Sequence, residues 1–188
     1  MNMTKKFAAA FAALALTAGA QATVVPFTTS TGELATDVTA EKTVTGGLTD
    51  DLSFVLTGYA TLDGQNFYED DFSLVVNGAT LYVGTFDLGG GGADATYFNP
   101  SGATFTFGPG KTVNFLVPVS SDDGIYKIDF TYTSLSKASG HAGFQGLGDE
   151  GWGVSNVAAV PEPASVALLL AGLGMVGGLA RRRAARQA

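Results

Sequence analysis

Apolar and polar residues alternate with a period of two along much of the middle of the chain. The clearest run is residues 125–133, in which Tyr126, Ile128, Phe130 and Tyr132 share one face of an extended chain. Successive side chains of a β-strand point to opposite faces of a sheet, so this pattern is typical of a strand with one buried face. A chain patterned in this way favours antiparallel sheets and disfavours amphipathic helices.

The same alternation predicts further strands on both sides of this run. Asn77 and Gly78 separate two apolar runs, and an Asn-Gly pair is a strong hairpin signal because both turn positions need a positive φ. Residues 23–48 are rich in Thr and Gly and predict an edge strand plus a loose arm. We therefore predict seven or eight strands in an all-β fold, an antiparallel β-sandwich or jelly roll. The predicted strands beyond the first segment are residues 52–59, 72–76, 79–86, 103–107, 112–119, 125–133 and 152–157.

The first 22 residues have the three parts of a signal peptide. Lys5 and Lys6 precede an apolar run over residues 7–18, and Ala20 and Ala22 flank Gln21 in a small-x-small cleavage site. This order matches what signal peptidase recognises. We predict that residues 1–22 are removed and that the mature chain begins at Thr23.

The last 28 residues form a second three-part segment. Pro161, Glu162 and Pro163 come first, and residues 164–180 follow without a charge. A helix of this length reaches about 25 Å, slightly short of a hydrocarbon core of about 30 Å, and local thinning of the bilayer allows a single transmembrane helix. Arginines after the span predict a cytoplasmic C-terminus. These arginines are Arg181, Arg182, Arg183 and Arg186.

Residues 23–160 remain as one domain with a strongly one-sided charge. The domain has four lysines, no arginine and sixteen acidic residues, so its formal charge is −12. Binding to nucleic acid needs clustered Lys and Arg, and we exclude a nucleic-acid partner. The chain has no cysteine. Disulfides and thiolate metal sites are therefore excluded, and the exported domain must rely on its core or on bound ions.

The tail resembles the PEP-CTERM sorting signal of Gram-negative bacteria. The resemblance is carried by residues 160–165 around Pro161, Glu162 and Pro163, by the apolar run, and by the arginine cluster after it. It implies processing by the membrane enzyme exosortase and a transient anchor in the inner membrane. It also implies a destination at the cell surface or in an extracellular exopolysaccharide matrix, as in a biofilm.

A second resemblance concerns the end of the domain. Residues 149–157, read as Asp-Glu-Gly-Trp-Gly-Val-Ser-Asn-Val, are similar to the last strand of jelly-roll domains that are common in PEP-CTERM proteins. Ser155 stands where those domains usually have an aspartate. The replacement removes a carboxylate that could bind a metal ion.

Adjacent acidic residues are the candidate metal ligands. They occur at residues 69–71, at residues 122–123 and at Asp149 with Glu150. Calcium binds six to eight oxygens, and loop carboxylates can supply some of them, with Asp149 and Glu150 the best candidates. The alternative interpretation is that these residues are solvated turns. No other cofactor is expected.

Aromatic residues are the candidate sugar-binding groups. Trp152, the only tryptophan, could stack on a sugar together with Tyr68 and Tyr97, although aromatic residues in strands more often pack in a core.

The sequence gives little support for catalysis. His141 is the only histidine, no G-x-S-x-G motif is present, and no pair of acidic residues is singled out for glycoside hydrolysis. The four glycines of residues 89–92 predict a mobile loop with no phosphate site. We therefore predict a non-enzymatic structural or adhesive protein. The alternatives are a carbohydrate-binding module, assisted by calcium, and a small secreted hydrolase.

Overall fold

The computed structural model of the protein describes residues 23–135, 147–161, 168, 170–173 and 175. In chain order the strands of this part are β1 (Thr23–Pro26), β2 (Val38–Thr45), β3 (Thr49–Gly58), β4 (Leu62–Asp63), β5 (Asp70–Val76), β6 (Ala79–Thr85), β7 (Gly89–Gly91), β8 (Ala95–Phe98), β9 (Thr104–Gly108), β10 (Thr112–Ser120), β11 (Ile125–Ser134) and β12 (Trp152–Pro161). The predicted all-β fold class is confirmed.

The strands form two main sheets and one small one. The six-stranded sheet has the order β1-β2-β11-β5-β6-β8, and the four-stranded sheet has the order β12-β3-β10-β9. The small sheet pairs β4 with β7. All pairs in the main sheets are antiparallel except β1 with β2. The last strand, β12, is the outermost strand of its sheet, and isolated bridges from Ser30 to Ser155 and from Leu34 to Trp152 cover its outer side.

Aromatic rings from the two main sheets meet in one core. Phe54 of β3 stacks on Phe115 of β10 with ring centroids 4.7 Å apart, and it contacts Phe130 of β11 at 5.0 Å. Phe72 of β5 lies 6.0 Å from Phe54. Each of these rings is at most 3% exposed. The period-two pattern therefore places one face of each strand in a shared interior, as the sequence predicted.

The predicted Asn-Gly hairpin joins β5 and β6. Asn77 has a φ of 51° and Gly78 a φ of 80°, so both turn positions lie in the left-handed region. Asparagine and glycine tolerate this region better than other residues, which explains why the pair reads as a turn in the sequence.

The prediction for residues 23–48 was too modest. This segment supplies the edge strand β1, but it also supplies β2, which lies between β1 and β11 inside the six-stranded sheet. Ala40 of β2 is fully buried. Short and β-branched side chains fit a pleated surface without a conspicuous apolar stripe, and this explains why the pattern is weak in the sequence.

The two ends of the chain lie largely outside the described residues. Residues 1–22 and most of residues 162–188 are not among the described residues. The predicted signal peptide and most of the predicted transmembrane helix therefore lie outside the described residues. Among the residues that are described, we find no helix with the length and apolar character needed to cross a bilayer.

Candidate functional site

Two carboxylates that are seven residues apart meet a third from much later in the chain at one end of the core. Asp63 ends β4, Asp70 begins β5, and Glu150 precedes β12 by two residues. One oxygen from each carboxylate lies within 4.8 Å of the other two. We call these three residues the interior carboxylate cluster.

The position of Asp70 follows from the pleat of β5. Buried and half-buried residues alternate along this strand, and Asp70 lies on the same inward face as Phe72, Leu74 and Val76. Asp70 is 0% exposed, Glu150 is 4% exposed and Asp63 is 9% exposed. The local pattern that builds the core therefore also drives a carboxylate into it.

Hydrogen bonds satisfy only part of the cluster. The Asp63 amide donates to Asp70 Oδ2 at 3.0 Å, and Asn66 Nδ2 donates to Asp63 Oδ1 at 2.8 Å. Within the described part of the chain, the buried atoms Asp70 Oδ1 and Glu150 Oε2 accept no hydrogen bond. A buried polar atom without a partner costs free energy, and a buried charge costs more.

Burial controls the electrostatics of the cluster. Loss of solvation raises the pKa of Asp70 to about 7, and repulsion from Asp63 and Asp71 adds to this effect. Loss of solvation raises the pKa of Glu150 to about 8, with repulsion from Asp70 as the next cause. The pKa of Asp63 is also raised, again mainly by burial. The three groups therefore resist being ionised together unless a cation joins them.

A run of glycines lies against the cluster. Residues 89–92 were predicted to form a mobile loop, but Gly89–Gly91 is strand β7, paired with β4. A Cβ atom at Gly90 would lie 2.6 to 2.7 Å from the carboxylate atoms of Asp63. Glycine is needed here because any side chain would occupy the space of this carboxylate.

The two predicted calcium ligands, Asp149 and Glu150, have different positions in the structure. Glu150 belongs to the interior carboxylate cluster. Asp149 lies beside it, close enough to repel Glu150, and its Oδ1 accepts a 2.9 Å hydrogen bond from Thr61 Oγ1. The sequence analysis did not single out Asp63, since a lone aspartate in a loop carries no local signal. Asp70 did have such a signal, because the alternation along β5 places it on the same inward face as Phe72.

Trp152 does not lie at the surface. It is 0% exposed, its Nε1 donates to the Ala35 carbonyl at 2.9 Å, and its ring lies 6.0 Å from that of Tyr132. The prediction that Trp152 stacks on a sugar is not supported, because no face of the ring is open to solvent.

Other aromatic residues are exposed near an acidic side chain. Tyr68 and Tyr97 are 47% and 46% exposed, and the Tyr97 hydroxyl donates to Glu69 Oε1. Phe67, 60% exposed, contacts the ring of Tyr68 edge-on with centroids 5.1 Å apart. These four residues form the exposed aromatic patch.

The sorting motif begins inside the last strand. Val160 pairs with Asp51 and Pro161 pairs with Asp50, so β12 stays on β3 up to the first proline. Thr23, the predicted first mature residue, begins β1. Glu162, Pro163, His141, Ala20, Ala22 and the arginines at 181–183 lie outside the described residues.

Comparison with known proteins identifies the tail. The family model of the PEP-CTERM protein-sorting motif matches residues 159–184. No curated protein and no solved structure matches the chain.

Proposed function

We propose, from the premise that this is a PEP-CTERM protein exported as a target of exosortase, that its β domain is a non-enzymatic structural or adhesive component of the cell surface or extracellular matrix. The domain would hold a β-sandwich architecture and span residues 23–160. A transmembrane helix over residues 164–180 would anchor the precursor in the inner membrane, with its C-terminus in the cytoplasm, until processing.

The junction between the domain and the tail carries this proposal. The family match begins at residue 159, within β12, and the strand ends at Pro161. Cleavage at or after the motif would therefore leave the described sheets intact. A folded and strongly acidic domain would then be delivered outside the cell, where its charge favours solubility and cations over anionic polymers.

The processed protein in its native host provides the test. We expect the mature wild type to begin at Thr23, to lack the segment after residues 161–163, and to be found outside the cell. Variants Glu162→Ala and Pro163→Ala should keep the tail and stay in the membrane fraction. Intact mass and cell fractionation measure both. A wild type that retains residues 164–188 in the membrane would contradict the proposal.

The proposal that the domain is non-enzymatic is supported by the scarcity of common catalytic residue types in the sequence. It contains one histidine and no cysteine, and no G-x-S-x-G motif is present. A screen of the purified protein against sugar and ester substrates tests this. Turnover that is lost when a single acidic residue is replaced would favour the small secreted hydrolase instead.

A carbohydrate-binding module is the second candidate, and the exposed aromatic patch favours it. Tyrosine rings can stack on sugar faces, and the Glu69 carboxylate can accept hydrogen bonds from hydroxyl groups. We expect glycan-array binding to be lost in Tyr97→Ala and Tyr68→Ala but kept in Tyr59→Ala, a control tyrosine that is 46% exposed. No response to any glycan would count against this function.

A further inference from the structure

We propose that Asp63, Asp70 and Glu150 bind one calcium ion, which fastens the two main sheets to each other at one end of the domain. This inference depends on the geometry of the interior carboxylate cluster, and it holds whether or not the mature protein resides in a matrix.

The spacing of the carboxylates fits a single ion. Calcium lies 2.3 to 2.6 Å from its oxygen ligands, so two oxygens on opposite sides of one ion are at most about 5 Å apart. The three cluster oxygens lie within 4.8 Å of one another. They can therefore contact the same ion without movement of the backbone, and water can supply the remaining oxygens.

Two buried oxygens give an independent reason for a ligand. Asp70 Oδ1 and Glu150 Oε2 accept no hydrogen bond in the described part of the chain, and their residues are 0% and 4% exposed. Native proteins rarely leave such atoms without a partner. A cation bound between the carboxylates would supply a partner for oxygens of these side chains and offset the repulsion that the carboxylates exert on one another.

The lysines that the structure describes are engaged elsewhere. Lys42 Nζ donates to the Thr28 carbonyl, and Lys111 Nζ donates to the Ala60 carbonyl. Lys127 lies close enough to the exposed Asp123 to lower the pKa of that carboxyl. Among the described residues, the charges that bear on the pKa values of the cluster residues are all carboxylates. A metal ion is therefore the counter-charge that this arrangement calls for.

The chemistry of the donors selects calcium. All three are carboxylate oxygens, which hard cations prefer, whereas zinc and copper favour imidazole and thiolate ligands. Magnesium gives up its hydration water reluctantly and demands a near-ideal octahedron. A site made from three separate chain segments suits the more flexible coordination of calcium.

The ion would stabilise the fold as a cross-link. Asp70 belongs to the six-stranded sheet, Glu150 leads into β12 of the four-stranded sheet, and Asp63 belongs to the small sheet. Asp63 and Asp70 are seven residues apart and Glu150 follows 80 residues later, so the three carboxylates come together only in the folded chain. An ion that binds the folded state and not the unfolded state stabilises the fold. In a chain without cysteine, calcium would take the place that a disulfide often has in exported domains.

Calcium binding to the full chain, purified in detergent and freed of metal with EDTA, tests the proposal. We expect calorimetry to give one calcium per chain, and circular dichroism to show a melting temperature raised by about 5 °C or more at saturating calcium. Terbium, which replaces calcium, should give luminescence sensitised by Trp152, the one tryptophan, two residues from Glu150. Magnesium should have a much smaller effect.

Variants with nearly unchanged shape provide the matched controls. Asp70→Asn and Glu150→Gln should each weaken calcium binding by at least about tenfold and lose most of the rise in melting temperature. Both remove a buried charge and should fold without metal, and Asp63→Asn offers a third test. Asp122→Asn, at an exposed position, should behave like the wild type. The proposal is overturned if the wild type binds no calcium, or if the three variants bind it as tightly as Asp122→Asn does.

Discussion

Two acidic regions that look alike in the sequence have opposite environments in the structure. Asp122 and Asp123 lie in the exposed turn between β10 and β11. The Asp123 carboxylate accepts hydrogen bonds from Ser121 Oγ at 2.7 Å and from the Ile125 amide at 2.9 Å. Asp70 and Glu150 of the interior carboxylate cluster are buried, and each leaves one oxygen without a donor. The turn carboxylate has donors and solvent for its charge, whereas the cluster carboxylates are buried and leave two oxygens without a donor.

The direction of the pKa change summarises this difference. Hydrogen bonds from Ser121 and Ile125 lower the pKa of Asp123, because they stabilise its ionised form. Burial raises the pKa of Asp70 and of Glu150, because the interior disfavours the ionised form. Acidic residues are therefore a reason to propose a metal site where the fold buries them and leaves carboxylate oxygens without donors, as at Asp70 and Glu150.

The largest expected effect is a pH dependence of the metal-free chain. The folded-state pKa values of about 7 for Asp70 and about 8 for Glu150 exceed the ordinary values of 3.8 and 4.5. The folded chain therefore binds more protons than the unfolded chain between about pH 4 and pH 8, and the free energy of unfolding must fall as pH rises. Partial solvation of the two carboxylates reduces the effect of these shifts, so we expect a loss of about 2 to 4 kcal/mol between pH 5 and pH 8 in EDTA, measured by denaturant unfolding.

The control for this profile is the double variant Asp70→Asn with Glu150→Gln, which should flatten it. Saturating calcium should also flatten it, because the bound ion holds the carboxylates ionised. A metal-free wild type that is as stable at pH 8 as at pH 5 would show that the two carboxylates are better solvated than their burial implies.

The next largest effect is expected from a substitution of Gly90, the glycine that lies against the interior carboxylate cluster. Gly90→Ala should push the Asp63 carboxylate aside, since the new Cβ would lie 2.6 to 2.7 Å from it. We expect calcium affinity to fall about tenfold and the free energy of unfolding to fall by about 1 to 2 kcal/mol. Calorimetry and thermal unfolding measure these. In an Asp63→Ala background the stability cost of Gly90→Ala should shrink, and an unchanged cost would place the strain elsewhere.

The sequence predicted the strands better than the site. The alternation in residues 125–133 and the turn at Asn77 and Gly78 are local, and both are found in the structure. The meeting of Asp63 with Glu150 depends on how sheets pack, and no local pattern records it. Trp152 shows the same limit, because alternation places its ring on one face of a strand but does not say whether another layer covers that face.

Asp149 and Glu150 were predicted together as calcium ligands, and a smaller loss of calcium affinity should distinguish Asp149 from Glu150. Its carboxylate lies beside the cluster and is held by Thr61, so it should attract the ion without binding it directly. We expect Asp149→Asn to weaken calcium binding by only about two- to fivefold, because the amide oxygen can still accept from Thr61 while the charge is lost. Calorimetry beside Glu150→Gln measures the contrast. A loss as large as that of Glu150→Gln would make Asp149 a ligand.

The smallest effect belongs to the exposed turn. Because the folded-state pKa of Asp123 is lowered, its contribution to stability is present above the ordinary pKa and is lost as pH falls through the lowered value. Water solvates the carboxylate in both states, so Asp123→Asn should change the melting temperature by no more than about 2 °C at pH 7 and leave calcium binding unchanged. Thermal unfolding with and without calcium measures both. If Asp123→Asn instead removed the calcium response, the ion would bind at the turn, and the contrast between the two acidic regions would be reversed.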